Sequence, residues 1–265
     1  MKIGVLVKQV PDTASKIRIS GDAKNIATDD IKWILNPYDE FAVEQALKIK
    51  EAAATGEVVV LSLGPKRAQE AMRTAMAMGA DRGLHLDDAA FEGSDTLGTA
   101  KALAKLIQSE NFNFVLCGKV AVDDDNGQMT QVLAEVLGWS HVQPVVKMEM
   151  AADKTGATVH RIIGGGSQEV IDVKFPCVLG CEKGLNEPRY ASLPGIMKAK
   201  KKPLDTKTLS DIGLADTDVG FKGAKVVLTK LENPPERQAG KMLKGDTEAV
   251  VKELLQHLRN EAKVI

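Results

Sequence analysis

The chain has 265 residues, of which 44% are hydrophobic, and its 35 basic and 36 acidic residues give a net charge of -1. This length and composition allow one large α/β domain, or a domain with an extended arm, and the balanced charge excludes a general polyanion binder. Three cysteines without a framework spacing favour a reducing compartment, and no stretch is apolar enough for a membrane helix.

Buried strands and amphipathic helices alternate along the first half of the chain. Apolar runs predict strands at residues 3–7, 57–62, 83–86 and 112–117. Helical periodicity predicts helices at about 38–51, around 71–76, from an N-cap at Ser94 onwards, and from Asn126 or Gly127 to Gly138. This alternation predicts a doubly wound parallel sheet in a Rossmann-like α/β fold of three layers. In such sheets ligands bind outside the carboxyl ends of the strands, which selects the loops at residues 7–11, 62–65 and 118–128.

The second half has a different pattern. From about residue 142, short runs such as "VVKMEM", "TVHRII", "QEVIDV" and "CVLGC" alternate with glycine turns and predict added antiparallel strands. Beyond Lys200 little core pattern remains until an amphipathic helix at about residues 246–260. We expect an extended C-terminal arm that packs on a partner, because it has little apolar surface to bury against itself.

The stretch "GKVAVDDDNGQMTQ" at residues 118–131 carries three consecutive aspartates. Adjacent side chains in one loop cannot converge on a hard cation without other ligands, and no second carboxylate for hydrolysis is evident. The order strand, glycine, polar loop and helix instead leaves backbone N–H groups near residues 126–129 free to bind an anion. A solvated acidic turn that caps a helix stays open as an alternative.

A second candidate is "NEPRYASLPGIMKAKKK" at residues 186–202. It is either an exposed connecting loop with a solvated basic end, or a docking loop in which Leu193 anchors and the lysines attract an acidic partner. Nucleic-acid binding is the weaker hypothesis, because there is one basic cluster with a single tyrosine nearby.

The remaining reactive side chains form no evident catalytic set. Cys177 and Cys181 lack a second pair for zinc and are interpreted as buried thiols. Four scattered histidines pair with no recognisable nucleophile, and there is no phosphate-binding glycine motif. These absences favour a binding or carrier role over an enzyme.

Several ordered stretches resemble the beta subunit of electron transfer flavoprotein. They are "VLVKQVPD", "LNPYDEFAVEQALKIKE", "AMRTAMAMGADRGLHL", "GKVAVDDDNGQ", "EVLGWSHVQP" and "LNEPRYASLPGIMKAKKKP". The similarity runs from Met1 to at least Ile212, and the final amphipathic helix fits as well. The resemblance implies an adenine-nucleotide-binding fold and a heterodimer with an alpha subunit that holds the redox-active FAD. It also implies an electron carrier without catalytic residues of its own, which passes electrons from acyl-CoA and related dehydrogenases, as in fatty acid oxidation, to a membrane quinone oxidoreductase.

In the common form of that family the beta subunit buries one AMP as a structural ligand. Mapped onto this sequence, the resemblance implies an AMP site formed by Leu6, Asn36, Pro37, Tyr38, Asp39, Leu63, Gly118, Lys119, Val120, Ala121, Val122, Asp123, Asp124, Asp125, Asn126, Gly127, Gln128 and Met129. These loops coincide with those that the parallel-sheet argument selects independently.

The resemblance also implies a partner-recognition loop over residues 181–203, which enters a pocket on the dehydrogenase while the flavin domain stays mobile. Its implied contact residues are Tyr190, Leu193, Pro194, Ile196, Met197 and Lys198, with Leu193 as the apolar anchor. The implied domains are a nucleotide-binding domain at residues 1–200 with this loop, and an arm at 204–265 that packs on the alpha subunit.

A second branch of the family performs electron bifurcation, holds a second FAD where AMP would sit, and binds NADH. Its loop usually has the order Asp-Gly-Asp-Thr-Ala-Gln, whereas this chain has Asp124 at the middle position, followed by Asn126 and Gly127. This difference favours the AMP-binding branch. Many members have an acid before the Gly-Gly turn where this chain has Ile162 and Ile163, so flavin-side contacts are not transferred.

Two alternatives are carried forward: the bifurcating subunit, and a stand-alone ATP-binding or ATP-hydrolysing protein of the same fold. We expect a cytoplasmic location in a bacterium, or the mitochondrial matrix in a eukaryote, because the N-terminus "MKIGVLVKQV" has no signal pattern.

Overall fold

The computed structural model of the chain describes residues 1–235 and 239–265, so residues 236–238 of the predicted arm lie outside the described residues. The chain divides into two compact units, Met1–Lys230 and Leu231–Ile265.

The strands of the first unit are β1 (Lys2–Leu6), β2 (Gln9–Pro11), β3 (Trp33–Leu35), β4 (Glu57–Leu63), β5 (Arg82–Leu86), β6 (Phe114–Gly118), β7 (Ser140–Met150), β8 (Gly156–Gly164), β9 (Ser167–Lys174), β10 (Cys177–Cys181) and β11 (Leu204–Lys207). Its helices are α1 (Pro37–Ala53), α2 (Ala68–Met78), α3 (Thr96–Gln108), α4 (Met129–Leu137), α5 (Leu193–Ala199) and α6 (Gly220–Gly223). The second unit contains α7 (Thr247–Gln256).

The large sheet has the strand order β11-β5-β4-β1-β6-β10-β7-β8-β9 in the described residues, and β2 and β3 form a separate antiparallel pair. The strands from β11 to β7 pair in parallel, and β7, β8 and β9 pair antiparallel. The chain leaves β1 towards β4 on one side and later returns to β6 on the other side. The predicted α/β fold with a doubly wound parallel sheet and antiparallel additions is therefore confirmed, and its topological switch point lies at β1 and β6.

Helices cover both faces of the sheet because successive strand side chains point to opposite sides. Ile3 and Val5 of β1 pack in the core beneath α1 and α2, whereas Leu6 packs in the core beneath α3 and α4. The strand β4 divides in the same way, with Val58 on the first face and Val59 on the second. Both faces of the sheet are thus covered by a large cluster of buried apolar side chains.

The run "CVLGC" was predicted to be an added antiparallel strand, and this prediction is wrong. It forms β10, which lies in parallel between β6 and β7. All five residues of β10 are buried, as is usual for an interior parallel strand that is covered on both faces.

Two helices begin later than predicted. The N-cap of α3 is Asp95, whose carboxylate accepts a hydrogen bond from the Gly98 amide at 2.8 Å, while the Ser94 hydroxyl accepts one from the Gly220 amide at 2.7 Å. The helix α4 begins at Met129, because Asp125 (φ 51°) and Gly127 (φ 60°) are in the left-handed region and cannot belong to a right-handed helix.

Residues 204–230 belong to the first unit, although the sequence assigned them to the arm. The strand β11 pairs in parallel with β5 and so extends the sheet at that edge. The first unit therefore continues to Lys230 instead of ending near residue 203.

The second unit contains the predicted C-terminal helix. Its N-cap is Asp246, which accepts a hydrogen bond from the Ala249 amide at 2.9 Å. The side chains of Val251, Leu254 and Leu255 on α7 are about half exposed. Among the described helices, none has both the length and the apolar character to cross a membrane.

Candidate functional site

A cavity of about 350 Å³ opens at the carboxyl ends of β1, β4 and β6, at the switch point of the sheet. Its walls come from residues 6–8, 61–63, 94–96 and 117–121, together with Asn36, Asp39, Thr99, Leu103, Asp124, Asn126, Gly127, Gln128 and Met129. The predicted residues Leu6 and Leu63 lie in these walls with all of residues 118–121. Pro37, Tyr38, Val122, Asp123 and Asp125 adjoin the lining without belonging to it.

The N-terminus of α4 presents unpaired backbone amides to this cavity. Within the described residues, the amides of residues 127–131 donate no hydrogen bond, and the first paired amide is that of Val132, which donates to the Gln128 carbonyl at 3.0 Å. Gln128 at the N-cap provides no side-chain cap. Free amides at a helix N-terminus, with the positive end of the helix dipole, suit a phosphate group.

Asn36 fixes the loop after β6 with its amide group. Its Nδ2 donates to the Val120 carbonyl and to Asp39 Oδ1, both at 2.9 Å, and its Oδ1 accepts from the Val122 amide at 3.2 Å. The side chain therefore holds residues 120–122 in place and has its hydrogen-bonding capacity engaged by the protein.

Asp39 joins the ends of β1 and β6 to the first turn of α1. Its Oδ2 accepts from the Lys8 amide at 2.7 Å, and its Oδ1 accepts from the Gly118 amide at 3.1 Å. Burial raises the pKa of this carboxyl to about 7, although the hydrogen bonds from Asn36, Lys8 and Gly118 act in the opposite direction. Both oxygens are engaged by the protein, so Asp39 positions the loops around the cavity.

Gly118 is required by this close approach. A Cβ atom at this position would lie 2.4 Å from Asp39 Oδ1 and 2.7 Å from Tyr38 Cβ. Only glycine lets the end of β6 pass so near to α1, and this proximity forms the floor of the cavity.

The three aspartates of the turn have different roles. Asp123 Oδ1 and Asp124 Oδ2 accept hydrogen bonds from Lys8 Nζ at 2.8 and 3.0 Å. Asp124 Oδ1 also accepts from the Asn126 amide at 3.2 Å, and Asp125 adopts a left-handed backbone conformation. In the described chain no group of three or more His, Cys, Asp or Glu side chains is arranged to hold a metal ion. The aspartates thus shape the turn through Lys8 and the backbone.

The sequence did not identify one wall of the cavity, which is formed by Ser94, Asp95, Thr96 and Thr99 at the start of α3. Ordinary capping residues occupy these positions, so their types carry no functional signal. The topology could have indicated them, because α3 follows β5 and its N-terminus lies at the same edge of the sheet as the other loops. Lys8 also lines the cavity; it lies in the predicted loop at residues 7–11 but was not named as a site residue.

The three cysteines are buried thiols, as predicted for Cys177 and Cys181. Burial raises the pKa of Cys117 and of Cys177 to about 12, and it raises that of Cys181 well above its usual range. Thiols with so little thiolate at neutral pH are poor nucleophiles.

The predicted recognition loop, residues 181–203, exposes a compact apolar surface. Tyr190 is 98% exposed and Leu193 is 79% exposed, with Ile196 and Met197 beside them. Leu193 and Pro194 are in the first turn of α5, which Ser192 caps through a hydrogen bond from the Gly195 amide at 3.1 Å. Lys198 is also exposed on this short helix. The predicted anchor, Leu193, thus lies on a capped helix and not on an irregular loop.

Both ends of this segment are fixed to the α/β core. On one side Asn186 Nδ2 donates to the Phe41 carbonyl at 3.0 Å, and Arg189 pairs with glutamates of α1. On the other side Lys202 Nζ donates to the Met76 carbonyl at 2.9 Å at the end of α2. Lys202 therefore does not belong to a freely solvated basic run, in contrast to Lys200 and Lys201, which are exposed.

Ile162 and Ile163 lie at the end of β8, next to the turn to β9, and are 39% and 52% exposed. Both side chains are thus apolar and open on this surface.

Comparisons with known proteins agree with this arrangement. The family model of the electron transfer flavoprotein domain matches residues 24–212. The chain is 42% identical over 266 residues to electron transfer flavoprotein subunit beta of Bradyrhizobium diazoefficiens, with 100% of both chains covered. It is 40% identical over 265 residues to the mitochondrial subunit beta of Arabidopsis thaliana, again with 100% of both covered. It is also 40% identical over 254 residues to the subunit beta of Homo sapiens, which covers 95% of this chain and 96% of the human protein. The chain belongs to the electron transfer flavoprotein family, and its relatives within that family are beta subunits.

Proposed function

We propose that this chain is the beta subunit of a heterodimeric electron transfer flavoprotein of the AMP-binding, non-bifurcating kind. It holds one structural AMP, and the FAD is bound mainly by the alpha subunit. The subunit has no catalytic residue of its own. It helps to carry electrons from acyl-CoA and related dehydrogenases, as in fatty acid oxidation, to the quinone oxidoreductase. We place the complex in the bacterial cytoplasm, or in the matrix if the source is mitochondrial.

The observation that carries this proposal is the cavity at the switch point, which is lined on one side by Gly127, Gln128 and Met129, whose amides are unpaired. A nucleoside monophosphate suits such a site, because its phosphate meets the helix N-terminus and its remaining atoms lie against Leu6, Leu63 and Leu103. A basic side chain is not needed to bind the phosphate, since the amides and the helix dipole supply partial positive charge.

The residues around the cavity divide into two roles in this proposal. The amides of Gly127, Gln128 and Met129 contact the phosphate directly. Asn36 and Asp39 hold the loops that shape the cavity, because their polar atoms are already engaged by the protein. The flavin supplies the redox chemistry of the complex when it is bound, and this chain positions the nucleotide and the partner.

Partner docking is assigned to the exposed surface of residues 190–198. Leu193 enters an apolar pocket of the dehydrogenase, and Tyr190, Ile196 and Met197 extend the contact around it. Lys198, Lys200 and Lys201 attract acidic groups at the edge of that pocket. The arm after residue 230 packs on the alpha subunit, where the apolar side chains of α7 become buried.

The test is to co-express the chain with its alpha subunit, purify the complex, denature it and identify the released nucleotides by chromatography. One FAD and one AMP per heterodimer support the proposal. Two FAD molecules would assign the chain to the bifurcating branch, which a second test of NADH oxidation would then confirm.

A stand-alone nucleotide-hydrolysing protein makes the opposite prediction. The chain expressed alone would then be a stable monomer that binds ATP and turns it over. ATP turnover by the isolated chain, together with failure to recover a flavoprotein partner in a pull-down, would replace the carrier assignment.

A further inference from the structure

Lys8 connects the acidic turn of residues 123–125 to the end of β1. Its Nζ lies 2.8 Å from Asp123 Oδ1 and 3.0 Å from Asp124 Oδ2. The main chain of Lys8 is itself fixed, because its amide donates to Asp39 at 2.7 Å and its carbonyl accepts from the Asn36 amide at 2.9 Å. The ammonium group therefore reaches the turn from a rigid base.

Asp124 extends this connection to the proposed phosphate site. One carboxylate oxygen pairs with Lys8, and the other accepts a hydrogen bond from the Asn126 amide at 3.2 Å. The next residue is Gly127, where the run of unpaired amides begins. A short series of contacts thus leads from Lys8 through Asp124 to the backbone that receives the anion.

Charge gives Lys8 a second effect. Asp123 and Asp124 place two carboxylates beside a site proposed for a phosphate, and unneutralised carboxylates would repel it. Burial tends to lower the pKa of Lys8, but the nearby Asp123 and Asp124 outweigh it and leave that pKa raised. Lys8 consequently stays charged across the neutral range and offsets part of the repulsion.

We propose that Lys8 is a positioning residue of the nucleotide site, which fixes the acidic turn and thereby slows the release of the bound nucleotide. The inference rests on the proposed nucleotide site and adds a residue that determines how long that site retains its ligand.

The experiment measures nucleotide release from the purified heterodimer. The probe is the adenine nucleotide that the wild-type complex yields on denaturation, and its release is followed by exchange against the same nucleotide carrying an isotope label. Lys8→Met keeps most of the side-chain length without the charge, and we expect release to become roughly three- to tenfold faster at low salt. Lys8→Arg keeps the charge and should restore most of the retention.

Salt gives an independent readout. At about 1 M salt the screening length falls to about 3 Å, which weakens both the Lys8–aspartate attraction and the carboxylate–phosphate repulsion. Release from the wild type should therefore accelerate and release from Lys8→Met should slow, so that the two rates converge. A role in stability alone would not make the two rates converge.

Lys50→Met is the matched control. Lys50 donates to Asp81 at 2.6 and 2.7 Å and does not line the cavity, so its loss removes a similar Lys–Asp pair elsewhere. We expect Lys50→Met to release the nucleotide at the wild-type rate. If Lys50→Met and Lys8→Met both released it equally faster than the wild type, the inference would be overturned. Release from Lys8→Met at the wild-type rate, or from Lys8→Arg as fast as from Lys8→Met, would overturn it as well.

The identity of the nucleotide tests the proposed function separately. If the wild type yields a second FAD, the AMP assignment is wrong, while the comparison of variants still decides the role of Lys8. If the wild-type complex yields no nucleotide from this subunit, both are overturned.

Discussion

The guanidinium of Arg189 binds the carboxylate of Glu44 through two hydrogen bonds, from Nε at 2.8 Å and from Nη2 at 3.0 Å. The same side chain donates to Glu51 at 2.6 Å, about two turns further along α1. Hydrogen bonds to Glu51 and Glu44 raise the pKa of Arg189, so its charge is permanent. The proposed docking surface is thereby attached to α1 just before Tyr190.

Replacement of this arginine is expected to destabilise the first unit. Arg189→Met leaves Glu44, whose side chain is 3% exposed, without its cation, and we expect a loss of about 2–4 kcal/mol in the free energy of unfolding. Denaturant unfolding measures the loss. The double variant Glu44→Gln with Arg189→Met should recover part of it, because the buried charge is gone. Wild-type stability of Arg189→Met would contradict this view.

Truncation of the proposed anchor is expected to weaken docking alone. Leu193→Ala removes the side chain proposed to enter the dehydrogenase pocket and should weaken the complex by about 2 kcal/mol. Electron acceptance from a partner dehydrogenase, measured at subsaturating carrier, should fall while the flavin spectrum stays unchanged. Val170→Ala on β9 removes a comparably exposed apolar side chain outside the segment and should transfer electrons normally. Unchanged transfer by Leu193→Ala would show that another residue is the anchor.

Crowding at the cavity floor is expected to affect stability and nucleotide content together. Gly118→Ala places a methyl group 2.4 Å from Asp39 Oδ1, so either the end of β6 or α1 must shift, at about 1–3 kcal/mol of stability. The nucleotide content per heterodimer should fall below that of the wild type. Gly21→Ala meets no atom within 4 Å and is the control that should keep both values. A fully loaded and stable Gly118→Ala complex would contradict the description of the floor.

The raised pKa of Asp39 predicts a pH dependence with a definite sign. Its pKa rises from 3.8 to about 7 on folding, so between these values the native protein binds this proton and the unfolded chain does not. The contribution of Asp39 to stability therefore falls as pH rises from about 4 to about 7, and it is constant above. Relative to Asp39→Asn, the wild type should become less stable over that window, by at most about 4 kcal/mol.

Denaturant unfolding of both proteins at a series of pH values measures this difference. Asp22→Asn is a control with the opposite sign, because hydrogen bonds from Ser20 and from the Lys24 backbone lower the pKa of Asp22. Relative to Asp22→Asn, the wild type should become less stable only as pH falls below about 4. A constant difference between wild type and Asp39→Asn from pH 4 to 8 would exclude the raised pKa.

The doubly wound parallel sheet could be predicted from the sequence because apolar strand runs alternate with helices that have an apolar stripe, although the order of the strands was not predicted. The position of β10 could not, since a short apolar run fits an interior parallel strand and an antiparallel strand equally well. The edge strand β11 was missed for a related reason: "LDTK" has little apolar character, and its pairing with β5 depends on tertiary contacts.

The loops that topology selected contribute residues to the wall of the cavity, but the contacts made by those residues required the structure. Asn36 and Asp39 were expected to bind a nucleotide, and the structure shows both engaged with residues 118–122 and Lys8. Side-chain pairs across loops that are distant in the sequence, such as Lys8 with Asp123, leave no periodic signal. Likewise Asp95, and not Ser94, caps α3. The Ser94 hydroxyl instead accepts a hydrogen bond from the Gly220 amide, a contact that the local sequence does not indicate.

The helix α1 carries contacts at both of its ends. Asn36 and Asp39 at its beginning hold the loops around the cavity, and Glu44 and Glu51 further along hold Arg189. Its 17 residues span about 25 Å along the axis. The helix therefore acts as a spacer of constant length between the cavity and the proposed docking surface at Leu193. Under the proposed function, motion that brings the flavin to a docked partner would then come from the alpha subunit, with this chain as the stationary part of the complex.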